Sequence, residues 1–357
     1  MRKVRIAFVG VANTHVAINA EAFVKYPDMC EIVGAADYPA HNPEDFEIKK
    51  QLNFPKNIEI KVWEDYKELL KQNIDIAIVC AEVCDYANVC EEILAMDIHA
   101  LVEKPMAINM EHAVRMYKAH EKSKAQLMIN WPVAWFPSFR KAKELADSGE
   151  IGDVLRIQYR SPATFGPYSN KVENREELAE QWWYKKDKGG GAILDYACYG
   201  CVLTTWLAGK QAKRVSGIKK NFLIPFAEVE DYSTFTIDFG NCVGLLEGSW
   251  STVSNGEIPT GPVIYGSKGV IVADRYDTRV KLYKTFLPYS PSPAADEVYE
   301  VGEIEDNLAF NVLNFVSKGT PLFEMITAEF NIKAMAALDA GIRSCETGII
   351  EECKNYE

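Results

Sequence analysis

The chain has 357 residues, 25% of them charged, and a formal net charge of −12. That length suits two domains with separate cores, and the acidic balance argues against a nucleic-acid or anionic-membrane partner. No apolar run approaches the length needed to span a bilayer. Nine cysteines, an odd number scattered from Cys30 to Cys353, fit reduced cytoplasmic thiols better than a disulfide framework. Met1-Arg2-Lys3 imitates the start of a signal peptide, but Arg5 interrupts the apolar stretch that follows, and those residues are needed as a strand.

Val4 to Gly10 reads as a first strand ending in glycine, and Glu31 to Asp37 as a second ending in an acid. Ile74 to Cys80 is a third, His99 to Val102 a fourth and Gln126 to Asn130 the last of this region. Helical patterns lie between them, so the first 131 residues predict βαβ units and a parallel sheet. A helix over 137–148 ends at Gly149, a residue suited to a C-terminal cap. Strands are then expected at 153–160, 213–222, 231–239, 242–250, 262–273 and 278–284, too closely spaced in their later part for helices between them, which predicts an antiparallel sheet. In 231–239, Ser233, Phe235, Ile237 and Phe239 share one face and Tyr232, Thr234 and Thr236 the other. That second, uncharged face suits contact with another copy of the chain. Pro-rich 287–293 reads as a loop, and helices over 306–318 and 327–347 end at Gly319 and Gly348.

Chemistry concentrates at the strand ends. Glu103-Lys104-Pro105 follows a buried strand, where open α/β sheets bind their ligands, and Pro105 restricts the backbone of Lys104. Glycine after the first strand and acid after the second is a dinucleotide-binding layout. The loop reads Gly10-Val11-Ala12-Asn13-Thr14-His15, with alanine and histidine where further glycines are usual. Its methyl at Ala12 narrows the backbone's approach to a pyrophosphate, and His15 is suited either to a phosphate or to capping the next helix. Asp37 accepts the hydroxyls of an adenosine ribose and repels a 2′-phosphate, and no arginine occurs in Tyr38-Pro39-Ala40-His41, so NAD is expected over NADP. Further on, Gly189-Gly190-Gly191 precedes a helix on which Asp195 and Tyr199, four residues apart, share a face. The glycines are expected to let the backbone pass close to a cofactor. Cys198 and Cys201 form a Cys-x-x-Cys without a thioredoxin-like context, and Cys80, Cys84 and Cys90 lack a histidine to complete a metal set, so no metal is expected.

Glu103-Lys104-Pro105 and the later Gly-Gly-Gly-x-x-x-Asp together make the chain resemble, over nearly its whole length, the family of glucose–fructose oxidoreductase and inositol dehydrogenase (Gfo/Idh/MocA). The resemblance implies a Rossmann domain over 1–131 and an α+β domain with a mostly antiparallel open sheet over 132–357, with the final helices packing back on the first domain. It implies catalytic roles for Lys104, Asp195 and Tyr199, and cofactor contacts from Gly10, Ala12, Asn13, Thr14, His15, Asp37, Ala81, Glu103, Lys104 and Trp183. Tyr199 stands where the inositol dehydrogenase branch has histidine, and the family's Thr-Pro and histidine are missing near Ala81 and at Tyr86. Trp182-Trp183 serves either near the ligands or as a packing pair.

The expected activity is hydride transfer between NAD(H) and a secondary alcohol or carbonyl of a sugar, polyol or related cyclic alcohol. Tyr199 would move the proton, with Lys104 stabilising its ionised form. The expected assembly is a homo-oligomer, dimer or tetramer. Two alternatives stand: a nucleotide-binding regulator without turnover, and a redox-neutral sugar enzyme that holds NAD tightly.

Overall fold

The computed structural model describes every residue except 1, 40, 41, 56, 57, 164, 253–258, 285–293 and 357, and the side chains of residues 45 and 52. The loop expected at 287–293 therefore lies outside the described residues. The chain divides into two compact units. The first comprises Met1–Trp131, Asp187–Gly189 and Glu305–Ile332; the second comprises Pro132–Lys186, Gly190–Ile304 and Lys333–Glu357.

In the first unit β1 (Val4–Val9), β2 (Cys30–Ala36), β3 (Val62–Trp63), β4 (Ile76–Val79), β5 (His99–Glu103) and β6 (Leu127–Asn130) form one sheet in the order β3-β2-β1-β4-β5-β6. Every pairing is parallel. This is the Rossmann order, whose ligand crevice lies beyond the strands' carboxyl ends. The strands read as continuous apolar runs because helices cover both faces of such a sheet; all four residues of β4 are buried.

Helices α1 (Val16–Val24), α2 (Pro43–Asn53), α3 (Tyr66–Leu70), α4 (Tyr86–Ala95) and α5 (Met110–Lys122) connect them. Asn109 starts α5 by accepting the His112 N–H at 2.9 Å, and Asp65 does the same for α3 from Lys67. β1 and β6 are one residue shorter than expected and β4 three, β2 is shifted by one residue, β5 extends one residue further to Glu103, and β3 is too short for a sequence pattern.

The second unit begins with α6 (Pro137–Asp147), and Gly149 at φ +82° follows it. Its sheet contains β7 (Val154–Pro162), β8 (Arg214–Lys220), β9 (Tyr232–Asp238), β10 (Val243–Ser249), β11 (Val263–Gly266), β12 (Val270–Val272), β13 (Arg279–Tyr283), β14 (Glu297–Glu300) and β15 (Glu351–Glu352). The order is β14-β13-β12-β11-β7-β10-β9-β8-β15. Antiparallel pairing dominates, but β7 and β10 at the centre run parallel. The single strand expected over 262–273 is a hairpin, closed by Gly266 N–H donating to Gly269 O at 2.8 Å.

Helices α7 (Arg175–Ala179) and α8 (Cys198–Ala208) also belong to this unit, α9 (Leu308–Lys318) to the first, and α10 (Ala328–Thr347) runs from the first into the second. Asn307 caps α9 and Gly319 at φ +70° ends it. The Ser233, Phe235 and Ile237 face of β9 is buried, with α10 packed against it at Gly341, where a Cβ would lie 2.3 Å from the Phe235 ring, while α8 lies over β7 and β10. On the opposite face Thr236 and Ile218 are exposed. That face is not free of charge as the β9 residues alone imply. Arg160 pairs with Glu247 at 3.1 Å, and the Arg156 guanidinium lies 3.8 Å from the Tyr265 ring centre.

Candidate functional site

In the first unit, β1 turns at Gly10 with φ +78°, and a Cβ there would lie 2.6 Å from the Ala81 backbone. The expected Gly10 and Ala81 are thus neighbours, and only glycine fits the turn. Cys80 O then accepts the Ala12 and Asn13 amides at 2.9 and 3.1 Å, while Asn53 Nδ2 donates to Val11 O at 2.8 Å. Ala12 is buried and half-buried Thr14 leads into α1. The Asn13 side-chain nitrogen lies beside the Tyr86 hydroxyl, yet both atoms are buried without a hydrogen bond of ordinary geometry among the described residues. An orphaned amide donor at the start of a nine-residue helix fits a pyrophosphate oxygen, so the loop's residues fit a dinucleotide despite the methyl of Ala12.

His15 occupies the N-cap position of α1 but makes no capping hydrogen bond. Its Nδ1 instead lies 2.9 Å from Glu103 Oε2. Glu103 is fully buried, and its other oxygen accepts the amides of Asn19 and of Asn130, the latter at 2.6 Å. Burial pushes the Glu103 carboxyl up, but the charge and hydrogen bond of His15 and the two amides outweigh it and hold the group below its usual range. Glu103 thereby holds His15 at the glycine loop. Lys104 is equally buried, at 1% exposure. It acts electrostatically on the Tyr86 phenol, whose pKa burial drives far up and the Lys104 charge draws back.

Asp37 follows β2, and at 2% exposure it is not the exposed turn residue an acid there usually is. Its Oδ1 accepts the Tyr38 amide at 2.9 Å and its Oδ2 accepts Lys49 Nζ at 3.1 Å. Lys49 comes from α2, twelve residues on, and nothing in the sequence marks it. Nearby, Glu82, Cys84 and Asp85 bring their ligand atoms within 4.8 Å of one another. Lys188 already pairs with Glu82 at 2.9 Å, and burial, then the charges of Asp85 and Glu82, push the Cys84 thiol up to about 12.

In the second unit the helix expected to carry Asp195 and Tyr199 starts with a π turn, Ile193–Ala197, and becomes α-helical only at Cys198. Asp195 sits in the widened turn and Tyr199 in the first α turn, so α-helical phasing does not relate them. Asp195 Oδ2 accepts the indole N–H of Trp250 at 2.9 Å. Trp250 follows β10, is almost wholly buried, and was not recognisable from sequence; it packs beside Tyr184, whose hydroxyl donates to Pro167 O. The half-buried Tyr199 ring meets that of Tyr196 edge-on at 6.1 Å. Cys201, the second half of the Cys-x-x-Cys, is a fully buried thiol raised by desolvation.

Each glycine of the triplet lies close against other protein atoms. A Cβ at Gly189 would lie 2.6 Å from the Ile108 side chain, within the first unit. At Gly190 one would lie 2.2 Å from Trp183 O, and at Gly191, with φ +102°, 2.5 Å from Glu230 Oε1, both within the second. Trp182 and Trp183 stack with centroids 3.8 Å apart, and the buried Trp183 N–H has no partner among the described residues.

Residues 4–131 match the oxidoreductase family with an NAD-binding Rossmann fold, and residues 139–272 match the GFO/IDH/MocA C-terminal domain. The chain belongs to the Gfo/Idh/MocA oxidoreductase family. Similar proteins include trans-1,2-dihydrobenzene-1,2-diol dehydrogenase of Xenopus tropicalis, 29% identical over 63% of this chain and 64% of that enzyme. The NADP-dependent D-xylose 1-dehydrogenase of Haloarcula marismortui is 30% identical over 40% of this chain and 39% of its own. The chain therefore spans under two thirds of either enzyme's length. Among solved structures, the Bordetella pertussis WlbA dehydrogenase, in complex with NADH and UDP-GlcNAcA, has a similar fold at a TM-score of 0.74 and 18% identity, over 99% of this chain and 100% of that one.

Proposed function

We propose that the protein exchanges a hydride between NAD(H), in preference to NADP(H), and a secondary alcohol or carbonyl of a sugar, polyol or related cyclic alcohol. The observation that carries this reading is the line of groups at the carboxyl ends of β1, β2 and β5: the Gly10 turn with the orphaned Asn13 amide, Asp37, and Glu103–Lys104. The diol and xylose dehydrogenases among its relatives support an alcohol substrate, and the latter's NADP leaves cofactor choice to this chain's own residues. Residues 1–131 would bind the nucleotide and 132–357 the substrate, with the open sheet face joining copies into a homo-oligomer. Nine cysteines outside any disulfide suit a cytoplasmic setting, and no helix among the described residues is long and apolar enough to cross a membrane.

The bound dinucleotide supplies or accepts the hydride. Gly10, Ala12, Asn13, Thr14 and His15 would hold its pyrophosphate and Asp37 its ribose, with Ala81 and Trp183 as further cofactor contacts. Removing hydride from a carbinol carbon requires removing the hydroxyl proton too, and Tyr199 Oη is assigned that proton. A free phenol is too weakly acidic for the task unless a cation stabilises its ionised form, and Lys104 is the ammonium proposed for that role. Asp195, held by Trp250, orients the substrate hydroxyl. Screening cyclic polyols and aldoses at 340 nm in both directions tests the reading. Turnover of at least one alcohol with NAD is expected; nucleotide binding without turnover of any panel member would favour the regulator instead.

A further inference from the structure

We infer that Lys49 is a specificity-determining residue, which limits how strongly the ribose site rejects a 2′-phosphate. The inference rests on the nucleotide reading of Asp37. An acid after β2 excludes NADP because its charge repels the extra phosphate and no arginine follows to offset it. Here the offset comes from another element. Lys49 is carried by α2 and returns to Asp37, its Nζ 3.1 Å from Oδ2, while Oδ1 is held by the Tyr38 amide.

The carboxylate is 2% exposed and the lysine side chain 21%, so water screens this pair weakly and the ammonium cancels much of the repulsion the carboxylate exerts. Asp85 also feels both charges, with burial the first cause of its raised pKa, and it feels Glu82 and Lys188 as well, so acids outnumber bases here by three to two. Removing Lys49 would take from the Asp37 carboxylate the ammonium that lies 3.1 Å from it and so strengthen the negative charge met by a 2′-phosphate. A lysine on a flexible four-carbon stem can turn from the carboxylate to a phosphate oxygen, a charge-assisted contact a ribose hydroxyl only partly replaces.

Lys49→Met, Lys49→Gln and Lys49→Arg, titrated with NADH and NADPH by tryptophan fluorescence, test this. The ratio Kd(NADPH)/Kd(NADH) should rise about tenfold or more in the Met and Gln variants, equivalent to about 1.4 kcal/mol, and stay near wild type in the Arg variant. Thermal melting in parallel identifies a variant that has lost its fold, and Gln serves if Met does. If NADH still binds but the ratio moves less than twofold in the folded variants, or Arg behaves like Met, Lys49 is only a packing residue. If the wild type binds neither nucleotide, the reading of Asp37 fails and the assignment to Lys49 with it.

Discussion

Trp250 and Asp195 are joined by an indole N–H donated to Oδ2 at 2.9 Å, between two side chains that are both buried. The bond fixes a carboxylate inside a π turn, where the backbone alone specifies its direction less firmly than in an α-helix. Trp250→Phe keeps an aromatic ring beside Tyr184 and removes the donor. A hydrogen bond to a charged group is worth about 1.5–3 kcal/mol, so kcat on a substrate found by the screen should fall about 10- to 100-fold, with nucleotide Kd unchanged. An unchanged kcat in a folded variant would show that Asp195 needs no orientation from Trp250.

Groups marked by strand ends were legible in the sequence, because a strand's carboxyl end fixes position whatever happens elsewhere. Gly10, Asp37 and Glu103–Lys104 were found in this way. Their partners were not: Lys49 reaches Asp37 across twelve residues, Asn19 and Asn130 reach Glu103 from α1 and β6, and Trp250 reaches Asp195 from β10. Such pairings depend on tertiary register, to which local pattern is blind. The π turn likewise has no residue signature in Ile193 to Ala197, and the parallel pairing of β7 with β10 joins segments about eighty residues apart that look alike from sequence.

Wild-type protein should bind NADH more tightly than NADPH, and Asp37→Ser alone should reverse the order. Serine still offers the ribose a hydrogen bond, while Lys49 loses its carboxylate partner and faces the 2′-phosphate. Introducing arginine at Tyr38 is unsuitable because that ring is buried 5.1 Å from Tyr66. Fluorescence titration gives both constants. Tighter NADPH binding by the wild type would remove the ribose role of Asp37.

Glu103 predicts a specific acid sensitivity. Its carboxyl is held below its usual range, so the stability it contributes is fully present above the unfolded value of about 4.3 and is lost as pH falls through the lower folded value. Melting temperature should therefore drop more steeply between pH 6 and pH 3 in the wild type than in Glu103→Gln, which carries no titrating group there. Parallel slopes would mean that the His15, Asn19 and Asn130 contacts do not stabilise the ionised form.

The open face of the second sheet should join copies of the chain. Ile218 is 58% exposed on it, and Ile218 and Thr234 lie opposite each other on β8 and β9. Sedimentation at micromolar concentration should give a dimer or tetramer, and Ile218→Glu with Thr236→Glu should shift it toward monomer by placing like charges at the contact. A monomeric wild type would leave that face without the assigned role.

Lys104 and Tyr199 should separate binding from chemistry. Tyr199→Phe keeps the ring that meets Tyr196 and loses only the hydroxyl, so fold and NADH affinity should scarcely change. A positioned proton-transfer group typically contributes about 10²- to 10⁴-fold, and turnover should fall by that order. On the proposed mechanism Lys104→Met should cost at least as much, because it would remove both the charge assigned to favour the phenolate and a donor to the substrate. It also replaces an almost wholly buried ammonium with an apolar chain of similar length, so melting temperature must be measured beside kcat to separate lost chemistry from lost fold. On the proposed mechanism the two effects should be far from additive in the double variant. If Tyr199→Phe turns over near the wild-type rate, the proton passes through another group. The buried Tyr86 phenol, on which Lys104 also acts, is then the next to replace with phenylalanine.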